Sequence, residues 1–231
     1  MSRRTYAAVG GVALIVAAAL IAASVIGTRG GEPAQADQLS PNDAPALLQG
    51  IPQTGPALGR RDAPVTLVEF ADPQCPYCAQ WSGQAFPELV RDYVRPGKVR
   101  IIFAGLAFIG PDSDEALRFA LAAGRQGKLW QVMDLLYANQ GAENSGWVSQ
   151  DVLREVGDAV PGLDVERALR ETQSQEVESQ LAAAKDLQAR LGVRSTPAFA
   201  ASRAGGQLAP VQVTSLDAGG ITPSLDRLLA R

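Results

Sequence analysis

The first hydrophobic run in the chain is also the longest. Ala7 to Gly27 passes 21 residues without a charge, directly after Met1-Ser2-Arg3-Arg4-Thr5-Tyr6. A helix of that length, rising about 1.5 Å per residue, crosses a hydrocarbon core of about 30 Å, so one transmembrane helix is predicted over 7–27. Arg3 and Arg4 are expected to hold residues 1–6 on the cytoplasmic side and send everything after Gly27 outside. The run exceeds a usual signal-peptide core, and the candidate cleavage site Ala34-Gln35-Ala36 stands seven residues beyond it, so a retained signal-anchor is favoured over a cleaved signal. From Thr28 to Gly59 the composition turns to Gly, Pro, Ala, Gln and Asp, which predicts a flexible linker over 28–59.

Residues 60–231 carry the patterns of a single α/β domain with its own core. Val65-Thr66-Leu67-Val68-Glu69-Phe70-Ala71, bounded by Pro64 and Asp72-Pro73, is β-branched and apolar and predicts a buried strand. Between Ala79 and Val94, Trp81, Ala85, Leu89 and Val90 recur at helical spacing, with a kink predicted at Pro87. Asp112-Ser113-Asp114-Glu115 resembles a capping box opening a helix, and Leu129, Val132, Met133, Leu136 and Tyr137 form an apolar stripe of the kind that packs a core. Further helical spacing marks Val152 to Val156, Val165 to Leu169, and Val177, Leu181, Ala184, Leu187 and Leu191, so a run of helices is expected over about 112–192. Ala198 to Ala201 and Leu208 to Val213 read as a hairpin around Gly205-Gly206, with Pro210 confining its second strand to a sheet edge. A last helix is predicted from Thr222-Pro223 through Leu229.

Charge narrows the partners little but usefully. Without Arg3, Arg4, Arg29 and Glu32 the formal net charge moves from −3 to −5, which argues against nucleic acid. Cysteine narrows the chemistry far more: Cys75 and Cys78 are the only two, and there is no histidine. A CxxC pair can be half a zinc site, a structural disulfide or a redox couple. A structural zinc usually needs four Cys or His ligands, twice what this chain offers. A bridge from Cys75 to Cys78 would close almost no loop and so constrain the unfolded chain little. Redox chemistry is the leading reading, with no metal and no bound cofactor.

The order strand, tight turn, CxxC, helix puts Cys75 at a helix N-terminus, where unpaired N–H groups and the helix dipole favour the thiolate. Thiols so placed have pKa values of roughly 3.5 to 7.5, against about 8.5 for a free cysteine. Stabilising the reduced form in this way makes the couple more oxidising. Pro76 falls where a helix tolerates proline.

Phe70-x-Asp72-x-x-Cys75-Pro76-Tyr77-Cys78 resembles the active-site signature of DsbA-like thiol:disulfide oxidoreductases of the thioredoxin superfamily. The similarity extends over about 47–231, through Lys98 to Phe103, the helical block, and Gly192-Val193-Arg194-Ser195-Thr196-Pro197. It implies a thioredoxin fold, a central mixed sheet flanked by helices, with a helical insertion. It implies Cys75 as the exposed nucleophile, Cys78 as the buried resolving thiol and Pro76-Tyr77 as the active-site dipeptide. Thr196-Pro197 would be the threonine and cis-proline that lie against the sulfurs and offer backbone hydrogen bonds to a substrate peptide. Glu69 lies six residues before Cys75, the spacing at which thioredoxin-like proteins carry a buried acid; an outward-facing edge residue is the alternative. If buried, its pKa should rise by desolvation and it could exchange a proton with Cys78. Asp72 is read as a turn cap without catalytic role. Tyr77 stands where histidine is typical, so the most oxidising potentials of that group are not expected here.

An exported CxxC meets an oxidising compartment, which favours introducing disulfides into exported cysteine-containing proteins over reducing them. The expectation is a monomeric, single-pass membrane enzyme with its catalytic domain on the periplasmic or extracellular face. The resemblance implies reoxidation by a quinone-linked membrane partner, DsbB-like or vitamin-K-epoxide-reductase-like. Two rivals stay open: a disulfide reductase or isomerase, and a dimeric iron–sulfur or metal-binding protein using the CPYC thiolates.

Overall fold

The β-branched run read as a buried strand becomes an inner strand of a six-stranded sheet in a computed structural model that describes residues 43–230. In chain order the described elements begin with helix α1 (Asp43–Leu48), strands β1 (Gln53–Thr54), β2 (Ala57–Leu58) and β3 (Val65–Ala71), helices α2 (Pro76–Gln84) and α3 (Phe86–Leu89), and β4 (Val99–Gly105). Helices α4 (Pro111–Gly124), α5 (Leu129–Ala138), α6 (Gln150–Asp158), α7 (Val165–Glu171) and α8 (Gln175–Leu191) follow without interruption, then β5 (Ala198–Arg203), β6 (Ala209–Val211) and α9 (Thr222–Leu229). The sheet order is β1-β2-β4-β3-β5-β6, with β3 and β4 parallel and every other neighbouring pair antiparallel. This is the thioredoxin fold with its mixed sheet, flanking helices and helical insertion. The predicted membrane helix over 7–27, the cytoplasmic residues 1–6 and the linker before Asp43 lie outside the described residues. Among the described residues no helix is long and apolar enough to cross a membrane.

The linker expected over 28–59 ends too late. Residues 43–59 hold α1 and a small hairpin whose second strand pairs with β4, and Leu48, Ile51, Ala57 and Leu58 are buried. Average composition hid these few apolar residues among the Gly and Pro that shape their turns. Arg95 closes the end of α1 by donating to the carbonyls of Leu47 (2.6 Å) and Gln49 (3.2 Å). Gly59 has φ +102°, and a Cβ there would meet the Val94 side chain at 2.9 Å and the Val99 carbonyl at 3.1 Å, so the corner into the sheet requires glycine.

Alternation along β3 divides the core between the two faces of the sheet. Val65, Leu67 and Ala71 join the larger cluster with both cysteines, Trp81 and Tyr137, whereas Val68 and Phe70 pack with Ala184 of α8. The helix after the CxxC breaks where Pro87 withholds a backbone donor: α2 stops at Gln84, α3 restarts at Phe86, and Val90–Val94 widen into a π turn. The capping box expected at residues 112–115 is absent. Pro111 starts α4 early with Gly110 in the cap position, and the polar side chains make tertiary bonds instead: Ser113 to Asp72, and Asp112 to the Gly146 amide.

Candidate active site

Cys75 occupies the N-cap position of α2, its φ −72° and ψ 117° turning the extended approach from β3 into the helix. Pro76 fills the first helical position, and the Cys75 carbonyl accepts from the amides of Cys78 (3.0 Å) and Ala79 (3.1 Å). Both cysteines are free thiols. Cys75, expected as an exposed nucleophile, is buried in this state at 5% exposure, because the Thr196–Pro197 loop lies against its sulfur; Cys78 is not exposed at all, while Tyr77 between them is 61% exposed. Against the sulfur the Thr196–Pro197 peptide is cis, both residues are half-buried, and the Cys75 thiol donates to the Thr196 carbonyl at 3.3 Å. Sulfur, helix mouth and proline loop, 121 residues apart in sequence, therefore meet.

The two thiols differ sharply in acidity. Cys75 falls from an ordinary 9.0 to about 6, chiefly because the Cys78 thiol donates to its anion. Burial works against this, and the Thr196 side chain with the amides of Cys78 and Tyr77 works for it. The bond to the Thr196 carbonyl belongs to the neutral thiol alone, since a thiolate cannot donate. Cys78 moves the other way: burial raises it first, and donation to Cys75 adds to the rise. At pH 7 the pair therefore holds one anion, on the outer sulfur.

Glu69 is 2% exposed, and the alternation of β3 turns it toward the larger cluster, between its cross-strand partners Phe103 and Phe199. It is not an edge residue, because β3 has neighbours on both sides. Burial pushes its pKa to about 8, and its Oε2 has no hydrogen-bond partner. Its field also falls on Cys78. With its pKa raised that far, the Glu69 carboxyl is neutral at pH 7.

Asp72 caps the turn and does more. Its Oδ1 accepts from the Gln74 amide (2.8 Å) and the Ser113 hydroxyl (2.6 Å), and its Oδ2 from the amides of Phe108 (2.7 Å) and Ile109 (3.0 Å). Gln74 extends the web, donating to Ser113 (2.9 Å) and accepting from the Asn144 amide (2.7 Å). Gln140 reaches in from beyond α5 to the carbonyls of Pro73 (2.7 Å) and Cys75 (3.2 Å). Asp72→Ala should strand four donors in a closed setting and cost roughly 3 kcal/mol in denaturant unfolding. A loss under about 1 kcal/mol would mean that water replaces the carboxyl freely.

The side chains of Gln74, Gln140, Asn144 and Ser113 carried no sequence signal of proximity to the thiols, since the partners they meet across the site lie 35 to 73 residues away along the chain, and Tyr137, whose hydroxyl has no partner, read only as part of an apolar stripe. Phe108, 46% exposed, is with Tyr77 the large apolar side chain most open to solvent among the described residues. Among the described residues no group of three or more His, Cys, Asp or Glu side chains could hold a metal ion.

A family model described as thioredoxin matches residues 52–204. A probable disulfide bond formation protein D from Bacillus cereus is 33% identical over 147 residues, spanning 62% of this chain and 68% of its own. The crystal structure of oxidised BdbD from Bacillus subtilis superposes with a TM-score of 0.66 at 23% identity, covering 77% of this chain and 94% of that one. A thioredoxin-like oxidoreductase from Silicibacter pomeroyi superposes with a TM-score of 0.60 at 29% identity, covering 82% and 98%.

Proposed function

This chain belongs to the thioredoxin family as a DsbA-like protein disulfide oxidoreductase, and from that premise we propose that it introduces disulfides into exported proteins through a Cys75/Cys78 couple. The observation that carries the reading is the division of labour between the sulfurs: an acidic thiol at a helix mouth above a thiol that burial keeps neutral. The cycle begins with the Cys75–Cys78 disulfide. A substrate thiolate attacks Cys75, Cys78 leaves and takes up a proton, and a mixed disulfide forms. A second substrate thiolate attacks the substrate sulfur of that bond, and Cys75 leaves as the thiolate its surroundings favour. The substrate loses two electrons and the enzyme gains them as a dithiol. Thr196-Pro197 would align the substrate backbone, and Glu69 would supply the proton to Cys78.

The reading includes a membrane anchor over 7–27 with the catalytic domain outside, which rests on the apolar run and the Arg3-Arg4 flank. A quinone-linked membrane protein would return the couple to its disulfide. Direction is tested by equilibrating the protein with glutathione buffers and counting free thiols. The depressed Cys75 predicts a potential above about −200 mV, whereas a value at or below about −270 mV would assign a reductase. A visible chromophore with bound iron in the fresh protein would assign a cluster instead.

A further inference from the structure

One side chain at the site has no part in the cycle above, although it hydrogen-bonds the backbone of the nucleophile itself. Gln140 follows Asn139, the C-cap of α5, and its place is fixed by the buried Leu135, Leu136 and Tyr137 at the end of that helix. Its amide nitrogen donates to the carbonyl of Pro73 at 2.7 Å and to that of Cys75 at 3.2 Å. The first carbonyl belongs to the turn before the thiol. The second is the acceptor on which α2 begins, taking the amides of Cys78 (3.0 Å) and Ala79 (3.1 Å) as well. Within the turn, the Cys75 amide donates to the Asp72 carbonyl at 3.0 Å and the Gln74 amide to Asp72 Oδ1 at 2.8 Å. The Pro73–Gln74 peptide is therefore gripped at both polar ends, its N–H by Asp72 and its oxygen by Gln140.

We propose that Gln140 is a positioning residue for the couple: by bridging the turn to the helix mouth, it holds the Cys75 sulfur in line for Cys78 to close on it. The inference rests on the Cys75/Cys78 couple proposed above. The step it serves is reoxidation. A disulfide oxidant first leaves one of its sulfurs on Cys75 as a mixed disulfide. The Cys78 thiol then gives up its proton to water and its sulfur bonds to Cys75. The bond from Cys75 to the oxidant's sulfur breaks, and the electron pair leaves on that sulfur as a thiolate. Over the two exchanges the protein's dithiol loses two electrons and the oxidant's disulfide gains them.

Displacement at sulfur is fast only when the reacting atoms are aligned, and a misplacement of about 1 Å can cost about a hundredfold. The Cys75 side chain leaves the backbone between the two carbonyls that Gln140 holds, so a tilt of this short segment swings the sulfur. The chemistry selects an amide for the task. Two carbonyl acceptors need two hydrogens on one atom, which the Gln Nε2 carries and a hydroxyl does not. Asp72 and Gln74 are buried parts of the turn's own support, whereas Gln140 is half-buried and reaches in from the helical insertion. Its loss should therefore free the sulfur without unfolding the domain, and the insertion gains a use at the thiols.

The test is Gln140→Met in the full-length protein, reduced and then mixed with excess oxidised glutathione at pH 7. Samples quenched in acid and analysed by mass spectrometry count the Cys75–glutathione adduct as it forms and as Cys78 closes on it. Burial keeps Cys78 a neutral thiol, so closure waits on a rare thiolate and the adduct can be caught. Adduct formation draws on the Cys75 thiolate alone and should stay within about twofold of the parent, while closure should be about tenfold slower. Gln140→Lys keeps donors at that reach and accepts nothing, so it should bring closure back to within about threefold of the parent. Closure at the parental rate in Gln140→Met would overturn the inference. Formation and closure slowed alike would overturn it too, because acidity or access would then be what was lost. So would a Gln140→Lys protein that closes as slowly as Gln140→Met, since donation would not be what counts. If Gln140→Met fails to fold, Gln140→Ala carries the same expectations. If the parent forms no adduct, or never closes, the couple itself falls and the positioning role with it.

Discussion

Cys78→Ala is expected to abolish catalytic oxidation and at the same time to fill the cell with adducts. Without a second sulfur no disulfide can be stored, so multiple-turnover oxidation of a dithiol peptide should fall by roughly a hundredfold or more. Cys75 remains at the helix mouth and can still be captured by substrates, but no neighbouring thiol releases it. Mixed disulfides between Cys75 and exported proteins should therefore accumulate, visible as higher bands on non-reducing gels that vanish with reductant. The same variant tests the electrostatics. The Cys78 thiol is the largest of the groups holding Cys75 near 6, so its loss should raise the Cys75 pKa by about one unit or more, read from thiolate absorbance. The amides of residues 77 and 78 and the Thr196 side chain stay behind, so the value should remain below the ordinary 9.0. A folded variant that forms no adduct would leave Cys75 without its assigned role as nucleophile. A pKa unchanged at about 6 would put the whole effect on backbone and helix instead.

The contrast between what the chain announced and what it concealed follows from the range of each interaction. Strand β3, the CxxC turn and the break at Pro87 are local matters of β-branching, proline geometry and a missing amide, and they stood in the sequence. The helical run from α4 to α8 was legible for the same reason, through apolar spacing within each helix. The meeting of Cys75 with Thr196-Pro197 was reached by resemblance alone, because nothing in a sequence separation of 121 encodes a distance. The web of Asp72, Gln74, Ser113, Gln140 and Asn144 was invisible, since such side chains look in sequence like any exposed polar residue. It was misread at residues 112–115, where a pattern suited to capping is used to hold the active-site turn. The end of the linker was missed for a different reason. Four buried apolar side chains suffice to add a hairpin to a sheet edge, and they do not shift an average over 32 residues of tether.

Glu69→Gln should make the protein more stable and less active. A carboxyl with a pKa near 8 in the folded state, against 4.5 when ordinary, binds its proton more tightly folded than unfolded. Between those values the folded state carries more protons, so stability must fall as pH rises, by up to about 1.4 kcal/mol per pH unit. The contribution is intact below about pH 4.5 and has been lost once pH passes 8. At pH 7 the buried acid therefore costs about 3 kcal/mol, and glutamine, which needs no proton, should recover about 2 kcal/mol after its own unpartnered amide is counted. The measurement belongs on the oxidised protein. In the dithiol, Cys75 adds an opposite slope: its depressed pKa gives stability that is complete above 9 and fades as pH falls through 6. Urea unfolding of the oxidised pair at pH 5 and pH 8 should show the parent losing several kcal/mol and Glu69→Gln holding level. The same variant should reduce more slowly at neutral pH, because Cys78 then leaves without the proton that Glu69 would supply. Parent and variant with parallel pH curves would mean that Glu69 titrates like a surface carboxyl and holds no proton at neutral pH.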